Sequence, residues 1–405
     1  MPRSVTMPKG FRAAGVRCGL KPSGALDLAL VVSDRPCTTA AVTTTNRSVG
    51  APVVVVREHL RHRGTRAIVC NSGNANVATG RKGHTDAISM TRQVAERIGC
   101  APHHVLPAST GVIGHMLDMK KIGRGIDDAS DALDRGGAAD ANAATAILTT
   151  DLVAKPAHRR IRLGRHQVTI GGIAKGSGMI APNMATMLAF VTTDADVARP
   201  VLARALRRAT ADSFNRISVD QHTSPSDMVI VLANGAAGNP RVATEGAHAK
   251  KLADAIADLC SDLAYQIVRD GEGANRVIRV TVRRASSRAD ADRVAQAVVN
   301  SPLVKTAVHG GDPNWGRIVT AAGYSGAALD TNRLSLHIGP KRDACVFRRG
   351  GPVKLDAKQT RRLERLMRGD EVRFTLDLGL GTAETEWLGC DLSRDYVRIN
   401  ADYTT

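Results

Sequence analysis

Short apolar runs rich in Val and Ile alternate along this chain with longer stretches of helical periodicity, and that alternation confines it to the α/β class. Strands are expected at 26–32, 53–56, 67–70, 167–173, 228–233, 277–282 and 372–378. The clearest helix spans 247–269, where Leu252, Ile256, Leu259, Leu263 and Ile267 share one face and Gly271 stands just beyond the end. A second helix is expected over 86–98, closed by Gly99, and a third over 201–209, with Pro200 in its first turn. The Ala-, Gly- and Asp-rich stretch 132–144 shows no pattern that decides its structure. No fixed-period repeat is visible, which excludes a solenoid.

The chain has 405 residues, long for one compact unit, and its 43% hydrophobic content is enough for a sizeable core. A net charge of +18 invites nucleic acid or an anionic membrane as partner. Aromatics are only 3%, so base-stacking platforms are scarce, and the Arg clusters are scattered. A generally basic solvated surface is the simpler expectation, with neither nucleic acid nor membrane as partner. Seven cysteines stand far apart with no Cys-x-x-Cys pair, suggesting neither a zinc ribbon nor a disulfide framework. The first ten residues lack an apolar signal core, and the expected location is the cytoplasm.

Five loops of small polar residues stand between the apolar segments, at 71–76 (Asn-Ser-Gly-Asn-Ala-Asn), 107–114, 175–186, 270–274 and 309–316 (His-Gly-Gly-Asp-Pro-Asn-Trp-Gly). Each alone reads as a tight turn; together they suggest a catalytic or ligand-binding rim. The common nucleotide, hydrolase and metal motifs are absent, and no metal site is expected. Ser and Thr remain as nucleophiles without an obvious His partner. One chemistry needs none: a chain cut before a Thr frees an α-amino group that serves as base for the hydroxyl. Such an amine titrates at about 7.7–8, close to working pH. Met184-Ala185-Thr186-Met187 suits such a cut, although Thr186 could equally open a buried strand over 187–191.

Taken together, these motifs resemble the ornithine acetyltransferase (glutamate N-acetyltransferase) family of arginine biosynthesis over almost the whole chain. The most specific strings are Lys-Gly-Ser-Gly-Met-Ile-Ala-Pro-Asn-Met-Ala-Thr-Met-Leu at 175–188 and Asp-Pro-Asn-Trp-Gly-Arg-Ile at 312–318; 44–46, 71–76, 109–114, 149–151, 213–220, 271–274 and the C-terminus from Cys390 also match. The resemblance implies a two-domain layered sandwich of mixed sheets and helices, with a self-cleaving N-terminal-threonine acyltransferase architecture. It further implies a cut between Ala185 and Thr186 into an α chain, 1–185, and a β chain, 186–405, which assemble as a heterotetramer of two each. Thr186 would be the nucleophile of a ping-pong transfer of acetyl from N-acetylornithine to glutamate, with Thr110 and Gly111 stabilising the oxyanion. Substrate binding would fall to Thr149, Lys175, Thr186, Glu272, Asn400 and Thr405. Lys175 suits a carboxylate and Glu272 an ammonium. No tightly bound cofactor is implied; some members accept acetyl-CoA, which makes it a candidate co-substrate.

The match frays at 218–227, where Gln221-His222 stand for the family's Gly-Asp and Pro225-Ser226 for its Thr-Asn; Asn275-Arg276 likewise replace Thr-Lys. These departures bear on substrate preference or assembly more than on acyl transfer. Two other readings are a self-cleaving amidase or aminopeptidase, in which water replaces glutamate, and a divergent inactive member.

Overall fold

The structure, a computed structural model, describes residues 3–181, 187–340 and 343–402. In chain order its described strands are β1 (Phe11–Val16), β2 (Leu28–Thr43), β3 (Thr65–Asn74), β4 (Val105–Val112), β5 (Lys155–Leu163), β6 (His166–Lys175), β7 (Leu188–Thr193) and β8 (Ile217–Ser218). They continue with β9 (Met228–Ala233), β10 (Val277–Ala285), β11 (Ser335–Ile338), β12 (Ala344–Arg348), β13 (Gly351–Pro352), β14 (Glu371–Asp377) and β15 (Ala383–Cys390). The chain divides into two compact units. Met1–Asn215 with His222–Ile267 form the first; Arg216–Gln221 with residues 268–402 form the second.

The first unit is built on a mixed sheet in the order β4-β3-β2-β9-β7-β6-β5, with β1 paired to β2. The long β2 joins its halves: residues 28–32 pair with β3, and Thr38–Thr43 pair with β9. Strand alternation sorts side chains to two faces. Leu28, Leu30 and Val32 enter one core with Ala67, Val69, Met90 and Ile122, beneath helices Gly80–Ile98 and Met119–Asp131. Ala29, Val31, Ile68 and Cys70 enter another with Phe190, Ile230 and Leu232. Every residue of β7 and β9 is buried, which explains the apolar runs at 187–191 and 228–233.

The helix over Ala247–Arg269 forms as its periodicity requires, and its predicted apolar face is buried. It lies against β6 at Gly172, where a Cβ would stand 3.0 Å from Leu259. The run 53–56 does not become a strand. It is the middle of a helix, Ala51–His59, with Pro52 in the first turn and Val53, Val55 and Val56 buried. Pro supplies the helical φ at that end, and packing overrides the strand preference of Val. The undecided stretch 132–144 contains the start of a helix, Gly137–Ala146.

The second unit has its own mixed sheet, ordered β13-β12-β11-β14-β10-β15-β8. Its core gathers Val280, Phe374, Leu376 and Trp387 with Val294, Val304, Ile318 and Leu363, one from each of the helices Arg288–Asn300, Pro302–Gly310, Trp315–Gly323 and Ala357–Met367. Among the described residues no helix is long and apolar enough to cross a membrane.

The N-terminal segment is fastened to the first unit by Asp140, which accepts the amides of Ser4 at 2.7 Å and Thr6 at 2.8 Å. It crosses β6 so closely that a Cβ on Gly171 would lie 1.9 Å from the Ser4 carbonyl oxygen. Gly171→Ala is therefore expected to destabilise the protein by about 1–3 kcal/mol or more, since backbone must move. Thermal denaturation checks this; an unchanged midpoint would show that the segment yields freely.

Candidate active site

The parallel strands β3 and β4 end together, with Ser72 opposite Thr110 and Gly73 opposite Gly111, before the register breaks at Asn74. The carboxyl end of such a pair is where open α/β sheets place ligands. Small polar side chains hold the turn: Ser109 Oγ donates to Asn71 Oδ1 at 2.6 Å, and Asn71 Nδ2 donates to the Asn74 carbonyl at 2.8 Å. Gly111 has φ +128°, and a Cβ there would lie 2.4 Å from the Gly73 carbonyl carbon. No other residue fits without opening the strand pair.

Lys175, the last residue of β6, points its buried ammonium into this end of the sheet. Its Nζ donates to Thr149 Oγ1 at 2.7 Å and to Thr110 Oγ1 at 3.3 Å, and stands 3.9 Å from Asp151 Oδ2. An ammonium only donates, so both hydroxyls act as acceptors here and keep their own protons for another partner. Asp151 is the hub of the cluster. Its Oδ1 accepts from Lys155 Nζ at 2.7 Å and the Gly176 amide at 2.6 Å, while Oδ2 accepts the Thr149 amide at 3.1 Å. Burial pushes the Asp151 carboxyl up, but Lys175, Lys155 and the donated hydrogen bonds overcome it and hold it at about 2. One carboxylate against two ammonium groups leaves one positive charge uncompensated within this triad, suited to an incoming carboxylate.

In the second unit, Glu272 is buried in the turn between the long helix and β10, and its Oε2 accepts from Asn400 Nδ2 at 2.8 Å. Asn400 lies on the helix Arg394–Asp402. That helix reaches the turn because Gly273, at φ +67°, has no Cβ; one would stand 2.4 Å from the Tyr396 amide nitrogen. Tyr396 donates its hydroxyl to Asp220 at 3.3 Å, and burial followed by the Asp220 charge raises its phenol above the ordinary range.

Of the residues singled out from sequence, Thr110, Gly111, Thr149 and Lys175 come together around one ammonium group, and Glu272 meets Asn400. Ala185, Thr186 and Thr405 lie outside the described residues. The loop 309–316 has a structural role: Gly311, at φ +70°, ends one helix, and Asn314 caps the next through the Arg317 amide. Asp151, Lys155 and Asp227 carried no assigned role in the sequence reading. The spacing of Asp151 and Lys155, four residues apart beside a matched Thr-Thr-Asp, was the available signal for the first two. Asp227 gave none. It is fully buried, and its Oδ1 accepts the amide of Met187 at 2.7 Å, immediately after the cleavage position expected from the resemblance. Burial pushes its carboxyl well above the ordinary range, against the pull of the Met187 amide and the Lys175 charge.

The profile described as the ArgJ family matches residues 12–405. An arginine biosynthesis bifunctional protein ArgJ from Symbiobacterium thermophilum is 49% identical, with 99% of this chain and 98% of that protein covered. Its namesake from Geobacter sulfurreducens is 47% identical, with 98% of this chain and 99% of the relative covered. The crystal structure of the Bacillus halodurans protein of that name is 40% identical with a TM-score of 0.50; the match covers 53% of this chain and 98% of the solved one.

The raised Asp227 carboxyl gives a pH-dependent prediction. A carboxyl held above its ordinary value disfavours its ionised form in the fold, so the cost is absent below about pH 4 and grows as pH rises through the folded value. Asn keeps an oxygen for the Met187 amide and carries no charge. Asp227→Asn should raise the thermal midpoint near pH 7 relative to wild type, with the gain vanishing near pH 4. A variant less stable than wild type at pH 7 would show that the fold uses the ionised carboxylate.

Proposed function

The chain belongs to the ArgJ family, and from that premise we propose how its residues carry out acetyl transfer in arginine biosynthesis. The reading best supported by the site is transfer of acetyl from N-acetylornithine to glutamate. Thr186 is its nucleophile, after cleavage of the bond between Ala185 and Thr186. The observation that carries this reading is the Lys175 ammonium donating to Thr110 and Thr149, which leaves both hydroxyl protons available to a substrate. Consistent with a cut precursor, 53% of this chain suffices to cover nearly all of the solved B. halodurans chain, about the share that begins at Thr186.

In the proposed reaction the free α-amine of Thr186 takes the proton of its own hydroxyl as the oxygen attacks the acetyl carbonyl. The tetrahedral oxyanion accepts hydrogen bonds from the Thr110 hydroxyl and the Gly111 amide; one such donor is commonly worth about 10²–10³ in rate. Collapse of the intermediate returns the proton to the leaving amine, releases ornithine and leaves acetyl on Thr186 as an ester. The glutamate amine then attacks that ester, giving N-acetylglutamate and free Thr186. Lys175 holds the α-carboxylate common to both substrates, with Thr149 alongside. Glu272, fixed by Asn400, is chemically suited to the ornithine ammonium, and Thr405 completes the set by resemblance. We further propose that chains 1–185 and 186–405 remain associated as a heterotetramer of two each, working in the cytoplasm, with acetyl-CoA as a second candidate donor.

Intact-mass spectrometry of purified protein beside Thr186→Ala tests the nucleophile. Two fragments meeting at 185/186, an uncut variant, and glutamate-dependent release of ornithine by wild type alone are expected; an uncut wild-type chain with full activity overturns it. Lys175→Met should raise KM for both N-acetylornithine and glutamate by about 10–100-fold, the worth of a charge-assisted contact. An unchanged KM would remove Lys175 from carboxylate binding.

A further inference from the structure

We propose a second small-molecule site on the first unit: a cationic cavity that binds a phosphate dianion, either free or as a small monoester. The cavity has a volume of about 280 Å³ and is framed by the middle of β2 at Cys37–Thr39, the turn that leads into β3, and the start of the helix Arg199–Asp212. Arg63, Arg199 and Arg241 line it, together with His62; no acidic residue is among its described lining residues.

The arginines come from separate segments, so their convergence is made by the fold and not by a local run of charge. Arg199 is anchored, its Nη2 donating to the Leu60 carbonyl at 2.5 Å. Asp196 is the acid that bears on the group, and at 3.8 Å from Arg241 Nη1 it is beyond hydrogen-bond distance. His62 is held in place by stacking on His103, with ring centroids 4.3 Å apart. The helix that begins at Arg199 brings its own positive end: its N-cap, Ala198, offers no side-chain acceptor, and no acid stands in the first turn.

The charge count selects the ligand class. Three arginine charges less that of Asp196 leave an excess of two, which a single carboxylate would only half neutralise. A compact dianion with several acceptor oxygens matches that excess and can be shared among the arginines. The volume admits inorganic phosphate or the phosphate end of a small ester.

The test is calorimetric titration of the full purified protein with inorganic phosphate, ribose 5-phosphate and acetate, beside Arg63→Gln/Arg241→Gln. Neither altered arginine is buried, so the double variant is expected to retain the wild-type thermal midpoint without phosphate. Phosphate should bind wild type at millimolar concentration or below, raise its thermal midpoint, and bind the double variant roughly tenfold or more weakly. Tighter binding of ribose 5-phosphate than of phosphate assigns the site to an ester; equal or weaker binding assigns it to the free ion. Phosphate binding that the double variant leaves intact, acetate binding as tightly as phosphate, or no heat at millimolar phosphate would each overturn the site.

Discussion

The polar cluster where β3, β4 and β6 end depends on one buried carboxylate. Asp151 is fully enclosed, and an isolated charge in such a place would be neutralised or expelled. It stays ionised because Lys155, the Gly176 amide and the Thr149 amide occupy its oxygens, with Lys175 close behind. That single anion fixes three things together. It places the backbone of Thr149, turns the chain at Gly176 directly after β6, and makes the Lys175 ammonium tolerable inside the protein. Without it two ammonium groups would share a dry space, and the cost of one such unpaired charge exceeds most single contacts in the molecule. Lys155 matters to function only through this balance. By taking one oxygen of Asp151 at 2.7 Å it leaves Lys175 the weaker partner, and so the cation with charge to spare.

Close backbone approach is the second constraint, and it explains why small residues gather where chemistry is expected. At Gly111 a side chain would strike the adjoining strand, and at Gly273 it would strike the helix that carries Asn400. In both places the missing Cβ brings a functional group nearer than a normal strand pair or turn would allow. The Thr110 hydroxyl is thereby set beside Lys175, and the Asn400 amide beside Glu272. Glycine is costly in unfolded-chain entropy, and that cost is accepted where no other residue gives the distance.

How much of this could be read from the chain depends on how local the cause is. The helix Ala247–Arg269 was visible because its apolar face repeats within the helix itself, and β9 because it is one short apolar run between polar turns. The segment 53–56 misled because four consecutive valines carry no period; only their burial against the sheet and the Pro at the helix start decide the matter. Lys175, Thr149 and Thr110 lie far apart in sequence, and no spacing rule joins them. Resemblance named them, and the sheet explains them, since β4 and β6 deliver two of the three while Asp151 holds the third. Asp227 escaped both routes: an Asp before a strand looks like a turn residue until the strand beside it places the Met187 amide on its oxygen.

The same logic accounts for the divergent stretch 221–226, which sits next to Asp227 yet leaves its geometry intact. Thr44 donates to the Ser224 carbonyl at 2.6 Å, Asn46 to the Thr223 carbonyl at 2.8 Å, and the Gly50 amide to the Pro225 carbonyl at 3.0 Å. Every one of these fastenings uses a main-chain oxygen of the loop, so they do not depend on which side chains the loop carries. Pro225 and Ser226 can therefore replace other residues without loosening the approach to Asp227. Gln221 is the exception that bears a cost. It adopts φ +65°, where glycine would be relaxed, and the strain is of order 1 kcal/mol. Its side chain offsets part of that by donating to the Asn300 carbonyl at 3.0 Å, a bond glycine could not make. The loop has traded backbone ease for a side-chain anchor.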